Sequence, residues 1–180
     1  MTSPLSINRA PVLTLWAAVV AERLGYSHDE ALTLGRAVAG MNAQSKAVHL
    51  GLREPTPAGE KARRRPAGES QKTVELLGRA VPVVRTAKGL RAAKDGKADS
   101  AEAVERYLAG KFGDALDEAR SALAALAARF PPAELAAEAY ALYERFRPEI
   151  PAGTRGWGAK GVLDLGALSR LQPRAAAKRG

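Results

Sequence analysis

The sequence predicts a mainly α protein: two antiparallel helical hairpins with a small central β-hairpin or meander. Three observations carry this prediction. Apolar residues recur at three- and four-residue intervals through 11–50 and again through 114–147. The β-compatible runs fall between those blocks and are separated by Gly-containing turns. The 180 residues suffice for one ordinary core, since folding at this length buries roughly 70% of the unfolded chain's surface.

Residues 1–10 read as an irregular arm. Pro11 opens the first helix, where its missing N–H costs nothing. Val12, Leu15, Trp16, Val19, Val20 and Leu24 follow at helical spacing, and Gly25 ends the helix. Ser27 and Glu30 form a capping box, each satisfying a backbone N–H at the start of a second helix over 28–48. The stripe of that helix is Ala31, Leu34, Val38, Met41, Ser45 and Val48, and it faces the first helix. Gly35 and Gly40 each weaken the helix by about 1 kcal/mol relative to Ala, a cost that close packing would justify.

Residues 53–72 hold three Pro and two Gly with no apolar period, and read as a basic linker. Strand-like runs follow at 73–77, 81–86 and 90–94, with Pro82 favouring an edge or a strand start. Asp99 or Ser100 caps a short helix carrying Val104, Tyr107 and Leu108, which stops at Gly110. Asp114 caps the next, with Leu116, Ala119, Leu123, Leu126 and Phe130 on its stripe. Pro131 and Pro132 break it and start a helix bearing Leu135, Ala139, Leu142 and Phe146, a pattern that predicts a C-terminal hairpin. Residues 152–161 form a Gly-rich loop that Trp157 is expected to fasten, and the last seven residues read as a basic tail. The expected organisation is an N-terminal hairpin over 1–52, the linker over 53–72, and a β-meander with a helical region over 73–180.

Charge is segregated along the chain. The net formal charge of +9 divides as +1 over 1–52, +7 over 53–98, −4 over 99–149 and +5 over 150–180. Such a distribution favours a polyanionic partner, or self-association through opposite charges. The densest basic run is Arg63, Arg64 and Arg65. Arg79, Arg85, Lys88, Arg91 and Lys94 lie on the β segment, where a ribbon would present them as a fixed array to phosphates. The chain has no Cys, which excludes disulfides and thiolate metal sites and fits a cytoplasmic protein. No apolar run reaches the length of a membrane span.

Residues 20–34, Val-Ala-Glu-Arg-Leu-Gly-Tyr-Ser-His-Asp-Glu-Ala-Leu-Thr-Leu, place Ala21 in one helix, Gly25 in a turn, and Leu24, Ala31 and Leu34 at apolar positions. This pattern resembles the helix-turn-helix of bacterial DNA-binding proteins. The resemblance implies a DNA-associated factor whose second helix approaches the duplex. The same residues also read as an ordinary helical hairpin with a Gly joint.

Catalytic constellations are thin. His28 and His49 stand at opposite ends of one helix, roughly 30 Å apart at helical rise, too far to share a metal. The Gly-rich 153–161 lacks the Gly-Lys-Ser/Thr of a nucleotide-binding loop. Asp29, Glu30, Asp114, Asp117 and Glu118 are accounted for by helix starts. The sequence therefore points to a basic, non-enzymatic protein without a cofactor or metal. It is expected to bind nucleic acid, DNA first, mainly through phosphate contacts at Arg63, Arg64, Arg65, Arg79, Arg85, Lys88, Arg91 and Lys94. The alternative is a helical scaffold or homo-oligomer whose partner is an acidic protein or another copy.

Overall fold

The chain is described by a computed structural model covering residues 5–49, 72–94, 97–148 and 160–171, with the backbone alone for 43–49, 94, 160, 167, 169 and 170. Helix α1 (Arg9–Arg23) is the axis of the molecule, and every residue over 11–21 is buried. The helix starts two residues earlier than predicted. Pro11 is still harmless, because the N–H groups of the first turn have no helical partner. Gly25, at φ +113°, closes α1 with paired bonds from Tyr26 N–H to Ala21 O and from Gly25 N–H to Glu22 O, both 3.1 Å. Those two bonds satisfy carbonyls that the helix end would leave orphaned.

Helix α2 (His28–His49) is continuous, as predicted, with Leu34 and Val38 buried and Met41 half-buried. The capping box forms: Ser27 N–H donates to Glu30 Oε1 at 2.9 Å and Glu30 N–H to Ser27 Oγ at 3.3 Å. Gly35 lets α2 press against α1. A Cβ there would stand 2.5 Å from Thr14 O and 2.8 Å from Ala18 N, whereas a Cβ at Gly40 meets nothing within 4 Å. Close packing thus explains Gly35 and leaves Gly40 unexplained.

Strands β2 (Lys72–Leu76), β3 (Arg79–Thr86), β4 (Gly89–Lys94) and β5 (Lys97–Ala98) form an antiparallel sheet in chain order. A second, two-stranded sheet pairs β1 (Leu5–Asn8) with β6 (Lys160–Leu163), Leu5 opposite Leu163. The expected irregular arm is therefore a strand from Leu5 onward. Its partner lies near the far end of the chain, a pairing that no local pattern announces.

Helix α3 (Ala101–Phe112) is capped by Ser100, whose side chain accepts from Ala103 N–H at 3.2 Å. It runs past Gly110 and ends at Gly113, where φ is +57°. Asp114 sits in a short 3-10 turn and makes no cap for α4 (Leu116–Ala128), so that expectation fails. Helix α5 (Pro132–Phe146) follows Pro131. The predicted C-terminal hairpin takes another form, because α4 and α5 both pack mainly on α1 and not on each other. Their Leu and Phe stripes turn to α1, which is buried on every side along 11–21. Trp16, fully buried, shows this directly. Its indole N–H donates to Ala139 O of α5 at 2.9 Å, and its ring meets Phe146 edge-on at 5.3 Å. One contiguous core joins the two helical blocks, the four-stranded sheet and the β1–β6 pair, so the described residues of the two expected regions share a single interior. Trp157 and the basic tail lie outside the described residues.

Candidate nucleic-acid interface

The register of the sheet decides where its cations can go. A two-residue turn joins β2 to β3, and another joins β3 to β4. In the second, Thr86 Oγ1 donates to Gly89 O at 2.8 Å and accepts from Lys88 N–H at 3.2 Å, which fixes the tip carrying Lys88. Pairing of Val83 with Ala92 and of Arg85 with Leu90 puts these four residues on one face, together with Arg79 and Val81. That is the core face: Val81, Val83, Leu90 and Ala92 are buried. Arg79 and Arg85 occupy its two ends. Arg91 belongs to the opposite face.

Arg85 and Lys88 are exposed, as is Lys97 on β5. None of these three forms a salt bridge among the described residues. Arg79 is half-buried and donates to Asn42 Oδ1 at 3.2 Å, an oxygen that also accepts from the Tyr140 hydroxyl at 2.9 Å. It braces β3 to α2 and α5. Arg91 is only 6% exposed. It donates to Leu90 O at 2.9 Å and stands 3.8 Å from Asp29, so it is unavailable to a phosphate. The predicted array of five cations on one ribbon surface does not form, because Arg79 is engaged with Asn42 and Arg91 is buried beside Asp29 of α2. Arg63, Arg64 and Arg65 lie outside the described residues, as does the side chain of Lys94.

Helix α2 closes the edge of β4. The N–H groups of Leu90 and Ala92 point away from β3; the first donates to Glu30 Oε2 at 2.9 Å, the second to Thr33 Oγ1 at 3.0 Å. Gly89 leaves room for this, since a Cβ there would come within 3.0 Å of the Glu30 carboxylate. The Ser27 and Leu90 N–H groups hold the Glu30 carboxyl below its ordinary value, and Arg85 contributes in the same direction.

Sequence reasoning missed Arg36. It is exposed on α2, its guanidinium 4.3 Å from the centre of the Tyr107 ring. Its place off the apolar stripe of α2 was the available signal, but the partner on α3 was not legible. His28 lies between Glu22 at 3.7 Å and Glu105 at 3.9 Å, and Arg120 grips both oxygens of Glu105 at 3.0 and 3.2 Å. These contacts tie together four helices. Among the described residues no group of three or more His, Asp or Glu is placed to hold a metal ion, and no helix is long and apolar enough to cross a membrane. Other arginines hold the fold: Arg9 donates to Pro148 O, Arg23 to Phe130 O, and Arg129 to Leu168 O and Leu171 O. No known protein family matches the chain, and comparison with curated proteins and with solved structures yields no match.

Proposed function

We propose that this is a non-catalytic, cytoplasmic nucleic-acid-binding protein, acting on DNA first and chiefly through phosphate contacts. The observation that carries the reading is the exposed set Arg85, Lys88 and Lys97, held on a braced sheet without salt bridges among the described residues, within a segment of net charge +7. Ordered cations lose little freedom on binding, which favours them over a linker of equal charge. Arg63, Arg64 and Arg65 add to the same potential.

A helix-turn-helix mode through α2 is less favoured. The start of α2 is occupied by the sheet: Asp29 faces Arg91, Glu30 binds Leu90, and Thr33 binds Ala92. The contacts are therefore assigned to the ribbon tip and not to α2.

Replacing Arg85, Lys88 and Lys97 together by Gln should weaken binding to a random 20-base-pair duplex. The slope of log affinity against log salt should fall by about 0.9 for each phosphate that is no longer neutralised. Arg91→Gln should leave that slope unchanged, because the side chain is buried. Absence of binding to any DNA or RNA at about 50 mM salt would discard the proposal in favour of the scaffold reading, since phosphate contacts are strong under those conditions.

A further inference from the structure

Arg9, Arg23, Arg79, Arg91, Arg120 and Arg129 each give an N–H to an oxygen of the protein. Arg36 is ordered in another way. Its guanidinium lies 4.3 Å from the centre of the Tyr107 ring, and among the described residues its side chain makes no hydrogen bond or salt bridge. A ring contact uses the flat face of a guanidinium and leaves the N–H donors along its edge. Tyr107 is half-buried and Arg36 is exposed, so the ring is a fixed seat under a cation that meets solvent.

The bonds of α2 place this cation relative to the sheet. Asp29, Thr33 and Arg36 share one face of the helix, and on that face Asp29 meets Arg91 and Thr33 takes Ala92 N–H. Because Glu30 takes Leu90 N–H, α2 and β4 advance in the same direction. Arg36 is about 4.5 Å past Thr33 at helical rise, and a strand advances about 3.3 Å per residue. Arg36 is thus level with the residues just after Ala92, where Ala93 and Lys94 pair with Ala98 and Lys97 of β5. Asp99 N–H, bonded to Ala92 O at 2.8 Å, fixes the end of β5 on the same edge. The exposed Lys97 and the exposed Arg36 therefore stand at one end of the sheet.

We propose that Arg36 is a further phosphate contact of the nucleic-acid interface and that Tyr107 positions it. The inference rests on the nucleic-acid reading above, and extends it to one side chain of α2 past the start that the sheet occupies. A guanidinium already seated on a ring loses little freedom when a phosphate arrives. Its edge can pair two N–H groups with two phosphate oxygens, a geometry that Lys88 and Lys97 cannot offer.

Affinity of the full chain for a random 20-base-pair duplex, measured over a range of salt concentrations, tests this. Arg36→Gln should lower the slope of log affinity against log salt by about 0.9, the value of one phosphate. Tyr107→Leu removes the ring face but keeps apolar volume. It should weaken binding by about two- to fivefold, the scale of an exposed cation–π contact. Tyr107→Phe keeps the ring and should bind like the parent chain. In a chain already carrying Arg36→Gln, Tyr107→Leu should weaken binding no further. A loss that persists there would mean that Tyr107 serves the fold alone, and would overturn its positioning role. A slope unchanged by Arg36→Gln but lowered by the triple substitution of Arg85, Lys88 and Lys97 would overturn the proposal and leave the nucleic-acid reading in place. Absence of binding by the parent chain to any DNA or RNA would overturn both.

Discussion

Helix α1 is enclosed on all sides along 11–21, whereas the four-stranded sheet is closed along β4 by α2 and, among the described residues, has no strand beyond β2. The contrast separates two ways of holding a fold. Around α1, side-chain volume decides: Trp16 fills space between helices, and Gly35 withholds a Cβ so that α2 can approach. In the sheet, backbone polarity decides. Strand β4 stays in place because Glu30 and Thr33 accept the N–H groups it cannot pair with another strand. The exposed cations Arg85, Lys88 and Lys97 all lie on the sheet, so that region carries the proposed function.

The largest effect should come from the enclosed side. Trp16→Ala removes a fully buried ring and its bond to Ala139 O, and should cost about 3–5 kcal/mol in a denaturant titration. Gly35→Ala should cost about 1–3 kcal/mol, because the new Cβ meets backbone atoms of α1 that cannot rotate away. A melting temperature unchanged by Gly35→Ala would show that α1 and α2 are free to separate, and would erase half of the comparison.

Glu30→Gln probes the sheet. It weakens both the capping box and the bond to Leu90, and should cost about 1 kcal/mol at neutral pH. The folded carboxyl lies below its ordinary value of 4.5, so its contribution is complete above that pH and is lost as pH falls through the folded value. The stability difference between Glu30→Gln and the parent chain should therefore shrink on acidification from pH 7 to pH 3. A constant difference would mean that the carboxylate charge contributes nothing at the edge. The smallest effect is a gain: Gly40→Ala, in open space within a helix, should stabilise by about 0.4–1 kcal/mol.

Much of α2 was legible because its signals are local. Ser27 and Glu30 lie three residues apart, and Leu34 and Val38 share a stripe, so the cap and the buried face could be read directly. The interface was legible only in part. Arg85, Lys88 and Arg91 look alike as basic residues of one β segment, yet the first two are exposed and the third is buried. What separates them is the contact of Arg91 with Asp29 of α2 and the place of Arg85 at the end of the paired face. Neither can be derived from the spacing of charges.

Short-range chemistry in the sequence determined the helices, the capping box, the turns between strands and the overall basic charge, because each rests on residues a few positions apart. Tertiary structure alone decided that β1 pairs with β6, that α4 and α5 dock on α1, that Gly35 meets Thr14, and which cations stay exposed. Those outcomes depend on surfaces brought together from distant parts of the chain. There, the burial of apolar volume and the pairing of backbone groups outweigh local preference.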